Sequence, residues 1–483
     1  MVYDWKMEAY WRLPVFVQNL ALSVYGWRLD RLYYGGEYPS ALEAVGLRQW
    51  GSAEEIEIWQ MAEFRRILAS AVAHVPHYRQ LAPLEVESFR TIPDLARLAV
   101  LERQELHQRE SRFLDERLDA GKLFKDKTSG STGTSLTIFW PPACLRQLQA
   151  VLEVRVRYAA GVAREMPRAM LGGRPIVRGS TRRPPYWRHN RYWRQIYLSS
   201  YHVSRAAAPG YIRAIRRSGV QWLTGYGSAI AALAESATAE NVPPMQMRAV
   251  IVSGDTLQPG MRKSIESFFG GKCFDMYGLV EAAALAMECA AGRMHVIPDA
   301  GIVEILDAAG RPCPPGEVGE IVATGLLNDG MPLIRYRTGD TAALARDQAC
   351  VCGSRHPILE SLEGRVDDYL VTADGRQVGR LSTAMKRSPT IHSAQLVQDR
   401  PGHAYLLVRP GEGYRASDVR TVEADIIERI GAFDVEVREV SEIPSTPTGK
   451  TRLVVRLSPS SELWRVYDPL LRAAGGAPGP EAH

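Results

Sequence analysis

The run MRAVIVSGDTL (247–257), followed by PGMRKSIESFFG (259–270) and KCFDMYG (272–278), decides the fold. Its first and third segments are short and apolar, while the second carries apolar residues at helical spacing. Strand, helix and strand at this spacing predict a parallel sheet with helices on its faces. Working downstream, CPPGEVGEIVATGLL (313–327) reads as antiparallel strands with Gly and Pro turns, a pattern that extends over 300–345. Upstream, residues 1–125 are mostly helical, as in EEIEIWQMAEFRRILASAVAHV (54–75). Beyond 363–371 comes a smaller α+β unit, with strands near 393–408 and 434–440 and a helix near 416–430. The expectation is an α/β protein. A large domain of mixed sheets and helices spans 1–366, a small α+β unit spans 367–465, and 466–483 form a disordered tail rich in Gly, Ala and Pro.

The 483 residues exceed what one core usually serves. Composition is that of a soluble globular protein, with 46% hydrophobic and 23% charged residues. A net charge of +5 argues neither for nor against nucleic acid. Six cysteines in a chain this long are not a disulfide scaffold and predict a reducing, cytoplasmic setting. The start has no basic segment followed by an apolar run, so no secretory signal is read there. The apolar stretch LPVFVQNLALSVYGW (13–27) is interrupted by Gln18 and Asn19 and is too short to span a bilayer. It reads as a helix packed on the domain, or as one lying on a membrane surface.

The stretch TSGSTGTS (128–135) packs two glycines among hydroxyls just before a strand-like LTIFW. It is not a Walker loop, because Thr134 stands where that motif needs Lys. Glycines let successive N–H groups turn toward one anion, so the stretch is either a plain turn or a phosphate loop. Four further segments follow in order: DMYGLVEAA (275–283), IRYRTGD (334–340), EGRVDDYL (363–370) and PTGKTRL (447–453). With these five motifs the chain resembles the adenylate-forming superfamily of acyl-CoA synthetases, nonribosomal adenylation domains and luciferases.

The resemblance implies activation of a carboxylic acid by ATP, giving acyl-AMP and pyrophosphate, with catalysis by positioning and charge neutralisation. It implies that Thr128, Ser129, Gly130, Ser131, Thr132, Gly133 and Thr134 hold the β- and γ-phosphates. Gly254, Asp275 and Gly278 would line the nucleotide, and Tyr277 would stack on adenine. Glu281 would help hold Mg²⁺, a hard cation that takes oxygen ligands. Asp340 would accept hydrogen bonds from the ribose, and Arg365 would supply forked donors to ribose or phosphate. Lys450 would carry charge to the attacking carboxylate and the α-phosphate. Asp367 matches the hinge, which makes the small C-terminal unit a mobile lid that runs two half-reactions from one site. Val280 stands where relatives commonly have Thr. His202 in SSYHVS (199–204) is either the aromatic gate to the acyl pocket or a packed histidine.

Two pairs of soft ligands remain: Cys289 and His295 in ECAAGRMH, and Cys350 and Cys352 in ACVCGSRH. A Cys₃His set suits a structural zinc, if the pairs meet; otherwise these are ordinary buried thiols and imidazole. His356 is a substitute ligand, and Cys144, Cys273 and Cys313 read as structural. The phenylacetate-CoA ligase-like branch often carries such pairs, and the segments 184–204 and 223–236 are similar to its CapK and coenzyme F390 synthetase members. That branch implies an aryl or small acid and an acceptor thiol, most often CoA, with a carrier protein's phosphopantetheine, an amine or an amino sugar as alternatives. A non-catalytic nucleotide-binding scaffold is the rival from another class. The arginines 174, 178, 182, 183, 188, 191 and 194, interleaved with Tyr186, Trp187, Tyr192 and Trp193, are a surface loop or an anion-binding surface; nucleic acid is not expected.

Overall fold

The computed structural model describes residues 5–127, 136–254, 257, 259–363, 369–378, 381, 390–410, 413–431, 433–441, 443–444, 454–458, 461 and 463–472. The strands Ala249–Ser253 and Lys272–Gly278 pair in parallel, flanking the helix Pro259–Phe269 in sequence. They belong to a run of five parallel strands that continues through Trp222–Gly225, Arg168–Gly172 and Gln195–Ser199. The expected antiparallel strands, among them Gly301–Leu306, Gly319–Gly325 and Tyr336–Leu344, extend the same hydrogen-bonded sheet to twelve strands.

Alternation along the strands fills two cores. Val250 and Val252 face the helices Ala208–Arg217, Gly227–Ala239 and Pro259–Phe269. Ile251 faces the helical N-terminal part, whose helix Ala53–His74 buries Phe64, Ile67, Leu68 and Ala71. Each fully buried Phe, Ile or Leu side chain stabilises by about 1.5–3 kcal/mol. That helix starts at a capping box, in which Ser52 accepts from the Glu55 N–H and Glu55 accepts from the Ser52 N–H.

The polar interruptions of the apolar stretch 13–27 explain its position. In the helix Val15–Tyr34, buried Gln18 accepts from Arg188, and the Asn19 side chain accepts from the His189 N–H at 2.8 Å. The helix is thereby fixed to the edge strand Trp187–Asn190. Its outer side still leaves Phe16, Leu20, Val24 and Trp27 exposed. Arg188 is buried and donates to the Pro185 and Trp187 carbonyls, so this member of the basic–aromatic run is structural.

The C-terminal unit is a four-stranded sheet carrying the helix Ala416–Ile430. Tyr201 sits in its core beside Leu370 and Val378, and the Arg376 guanidinium donates to the Tyr201 carbonyl at 2.8 Å. The expected tail 466–483 is corrected at its start. Residues Trp464–Arg472 form a helix that buries Tyr467 and Leu471 against Val397, Leu407 and Val455, because its aromatic and leucine residues share one face. No helix among the described residues is long and apolar enough to cross a membrane.

Candidate active site and metal centre

Ligands of open α/β sheets bind beyond the carboxyl ends of parallel strands, and the motif residues gather there. Gly254 follows the strand Ala249–Ser253 directly, and Tyr277 and Gly278 end the strand Lys272–Gly278. Gly254 has φ +88°, and a Cβ there would lie 2.9 Å from the Tyr226 ring, so both backbone and space favour glycine. Asp275 presents its N–H to Glu288, which also pairs with Arg262 at 2.7 Å.

The Tyr277 hydroxyl donates to Asp340 Oδ2 at 2.8 Å, bringing together two motifs sixty-three residues apart. Burial, reinforced by this carboxylate, pushes the phenol well above its ordinary pKa, so it remains a donor. Asp340 is buried, and its N–H donates to Thr338 Oγ1. Beside them, Glu281 Oε1 accepts from Tyr336 at 3.0 Å and from Arg103 at 3.1 Å. Two non-glycine residues of positive φ, Ala282 and Arg335, directly follow Glu281 and precede Tyr336. Such backbone costs energy and clusters at functional sites. Arg335 is held there by both oxygens of Glu304 and by the Leu98 carbonyl.

Arg103 escaped the sequence reading because a single Arg in the short helix Arg103–Gln108 carries no pattern. Its pairing bears on Mg²⁺, because the Glu281 carboxylate that would help hold the cation is already shared with Arg103 and Tyr336. His202 stands elsewhere, buried and stacked on Tyr186 at 4.4 Å, with Nδ1 against Ser199 Oγ at 2.8 Å. Burial, with Arg376 nearby, lowers its pKa to about 4. The loop 128–135, Arg365, Asp367 and Lys450 lie outside the described residues.

The two Cys/His pairs do meet. Cys289 and His295 bracket the hairpin of strands Leu285–Glu288 and Met294–Val296, and His295 pairs across to Ile358 beyond the turn that holds Cys350 and Cys352. All four ligand atoms lie within 4.8 Å of one another. Cys289 Sγ is 3.7 Å from Cys350 Sγ, and Cys352 Sγ is 3.5 Å from His295 Nε2. Tetrahedral zinc, with its usual bond lengths, needs about 3.8 Å between sulfurs and about 3.5 Å between sulfur and nitrogen. The donor set therefore fits that ion. His295 Nδ1 lies 3.2 Å from the His356 carbonyl, which leaves Nε2 to face the sulfurs. His356 thus contributes its backbone, not its ring.

The AMP-binding enzyme family matches residues 196–328, and the CapK C-terminal domain matches 370–457. The crystal structure of 2-hydroxyisobutyryl-CoA ligase with 2-HIB-AMP and CoA, in the thioesterification state, has the same fold. The TM-score is 0.58 at 18% identity, over 88% of this chain and 94% of that one. The chain thus carries an AMP-binding enzyme domain and a CapK-type C-terminal domain, the parts of an adenylate-forming ligase. Among the curated relatives it is similar to CapK and to phenylacetate-CoA ligases. It is 23% identical to Staphylococcus aureus protein CapK over 92% of this chain and 97% of that protein. It is 26% identical to the Thermus thermophilus phenylacetate-coenzyme A ligase over 66% of this chain and 72% of that protein.

Proposed function

We propose that this ligase activates a small or aryl carboxylic acid as its acyl adenylate, with release of pyrophosphate, and then passes the acyl group to a thiol, CoA being the first candidate. The observation that carries the reading is the bond from Tyr277 to Asp340, beside the Glu281–Tyr336–Arg103 cluster, at the carboxyl end of the parallel strands. In this reading Asp340 orients the ribose, Tyr277 provides a ring for the adenine, and the Glu281 carboxylate would help hold Mg²⁺. When bound, Mg²⁺ neutralises charge on the phosphates. Lys450 and Arg365 supply cationic donors to the reacting carboxylate and phosphate. Similarity to a phenylacetate-coenzyme A ligase and to a 2-hydroxyisobutyryl-CoA ligase supports a thiol acceptor. The Cys289, His295, Cys350 and Cys352 set holds a structural zinc.

The test is carboxylate-dependent pyrophosphate release across a panel of acids, with CoA and amines then added separately. Lys450→Ala should abolish adenylation yet spare thioester formation from supplied acyl-AMP. Loss of both half-reactions would contradict a mobile lid, and no release with any acid would sink the enzyme reading.

A further inference from the structure

A cavity of about 230 Å³ opens against the parallel sheet, with Thr224, Ile251 and Met276 of three adjacent strands forming its wall. Met276 immediately precedes Tyr277. Tyr33, also lining the cavity, meets Phe124 edge-on at 6.0 Å, in the strand Phe124–Lys127 that leads into the loop 128–135. The cavity therefore adjoins the site where the acid would be activated. Its other walls include aromatic Trp193, Tyr197 and Trp222, aliphatic Leu152 and Val156, and basic Arg157, Arg168 and Arg174.

Arg168 is the unusual member. It is 8% exposed, and Nε donates to Gln195 Oε1 at 2.8 Å while Nη1 donates to the Arg164 carbonyl at 2.6 Å. The rings of Trp193 and Trp222 lie 5.5 and 5.7 Å from its guanidinium carbon. Among the described residues no carboxylate forms an ion pair with it. The nearby acids are engaged: Glu153 by Arg157, and Asp30 and Glu165 by Arg164. Burial, and then the neighbouring Arg157, depress its pKa to about 10, which still leaves a cation at neutral pH. Buried charges are normally paired. An arginine held only by neutral acceptors, in the wall of an aromatic cavity, is complementary to an anion supplied by a ligand.

We propose, resting on the ligase reading above, that the acid activated here carries a second anionic group on a planar aromatic frame, and that Arg168 holds that group while the first carboxylate faces the adenylation site. A neutral aryl acid would fill the same space but leave the arginine uncompensated.

The experiment compares benzoate and phenylacetate with isophthalate, terephthalate and para-carboxyphenylacetate in pyrophosphate release. The expected result is a preference of about tenfold or more in kcat/KM for a diacid. Arg168→Met should erase that preference while sparing the neutral acids, and Arg168→Lys should keep part of it. Replacing an uncompensated buried cation by Met should leave the melting temperature unchanged or raised. A preference for neutral acids, or one untouched in both variants, would overturn the proposal while leaving the ligase standing. Should no acid release pyrophosphate, the ligase reading fails, and the pocket is judged by saturable quenching of tryptophan fluorescence by the diacids. Quenching that Arg168→Met abolishes would support an aryl-dianion site; its absence, or equal quenching by inorganic phosphate, would overturn it.

Discussion

At the scale of single residues, His202 shows how burial decides chemistry. Its folded-state pKa of about 4 lies below the ordinary 6.5, so the unfolded chain takes up the proton first as pH falls. Its effect on stability is nil above pH 6.5 and becomes a loss between pH 6.5 and 4, of up to about 3 kcal/mol. Urea midpoints at pH 7 and pH 5 should differ in the wild type and converge in His202→Gln; an unchanged difference would assign the slope to other groups. The sequence left His202 between gate and packed residue, since a histidine's neighbours are not encoded locally. Asp340 and Tyr277 were legible because they belong to ordered motifs. Arg103 and Arg168 were not, because an isolated arginine looks the same whether it is solvated or desolvated.

Among elements, the strand Trp222–Gly225 is pressed hardest by its neighbour. A Cβ on Gly225, φ +151°, would lie 1.9 Å from the Leu171 carbonyl oxygen of the adjoining strand. Backbone cannot yield as a side chain can, so Gly225→Ala should cost about 3 kcal/mol or more, read from the denaturation midpoint. A loss under about 1 kcal/mol would mean that the two strands move apart freely. Short apolar runs and the helical spacing of 259–269 made the parallel strands readable from sequence. The joining of parallel and antiparallel runs into one sheet was not readable, because strand partners are set by packing rather than by local pattern. The helix Trp464–Arg472 was masked in the same way, by the Gly- and Pro-rich composition just beyond it.

For the molecule as a whole, the Cys/His centre is a cross-link over sixty residues of chain, and metal removal should be felt as lost stability. Protein purified without chelator should carry one zinc per chain, and Cys352→Ser should lose it. The variant's melting temperature should fall by more than about 5 °C. Full stability with no metal in the wild type would refute the site. The contact of Arg376 with Tyr201 belongs to this scale too, joining the C-terminal unit to the segment that carries His202. By itself, the sequence determined the α/β class, the order of the nucleotide motifs and the metal-ligand types, because spacing and side-chain chemistry are local properties. Only the tertiary structure decided that the cysteines converge, that Glu281 is shared with Arg103, and that Arg168 borders a cavity without a counter-charge. Those facts depend on which distant surfaces exclude water from one another, and no local stretch of chain records that.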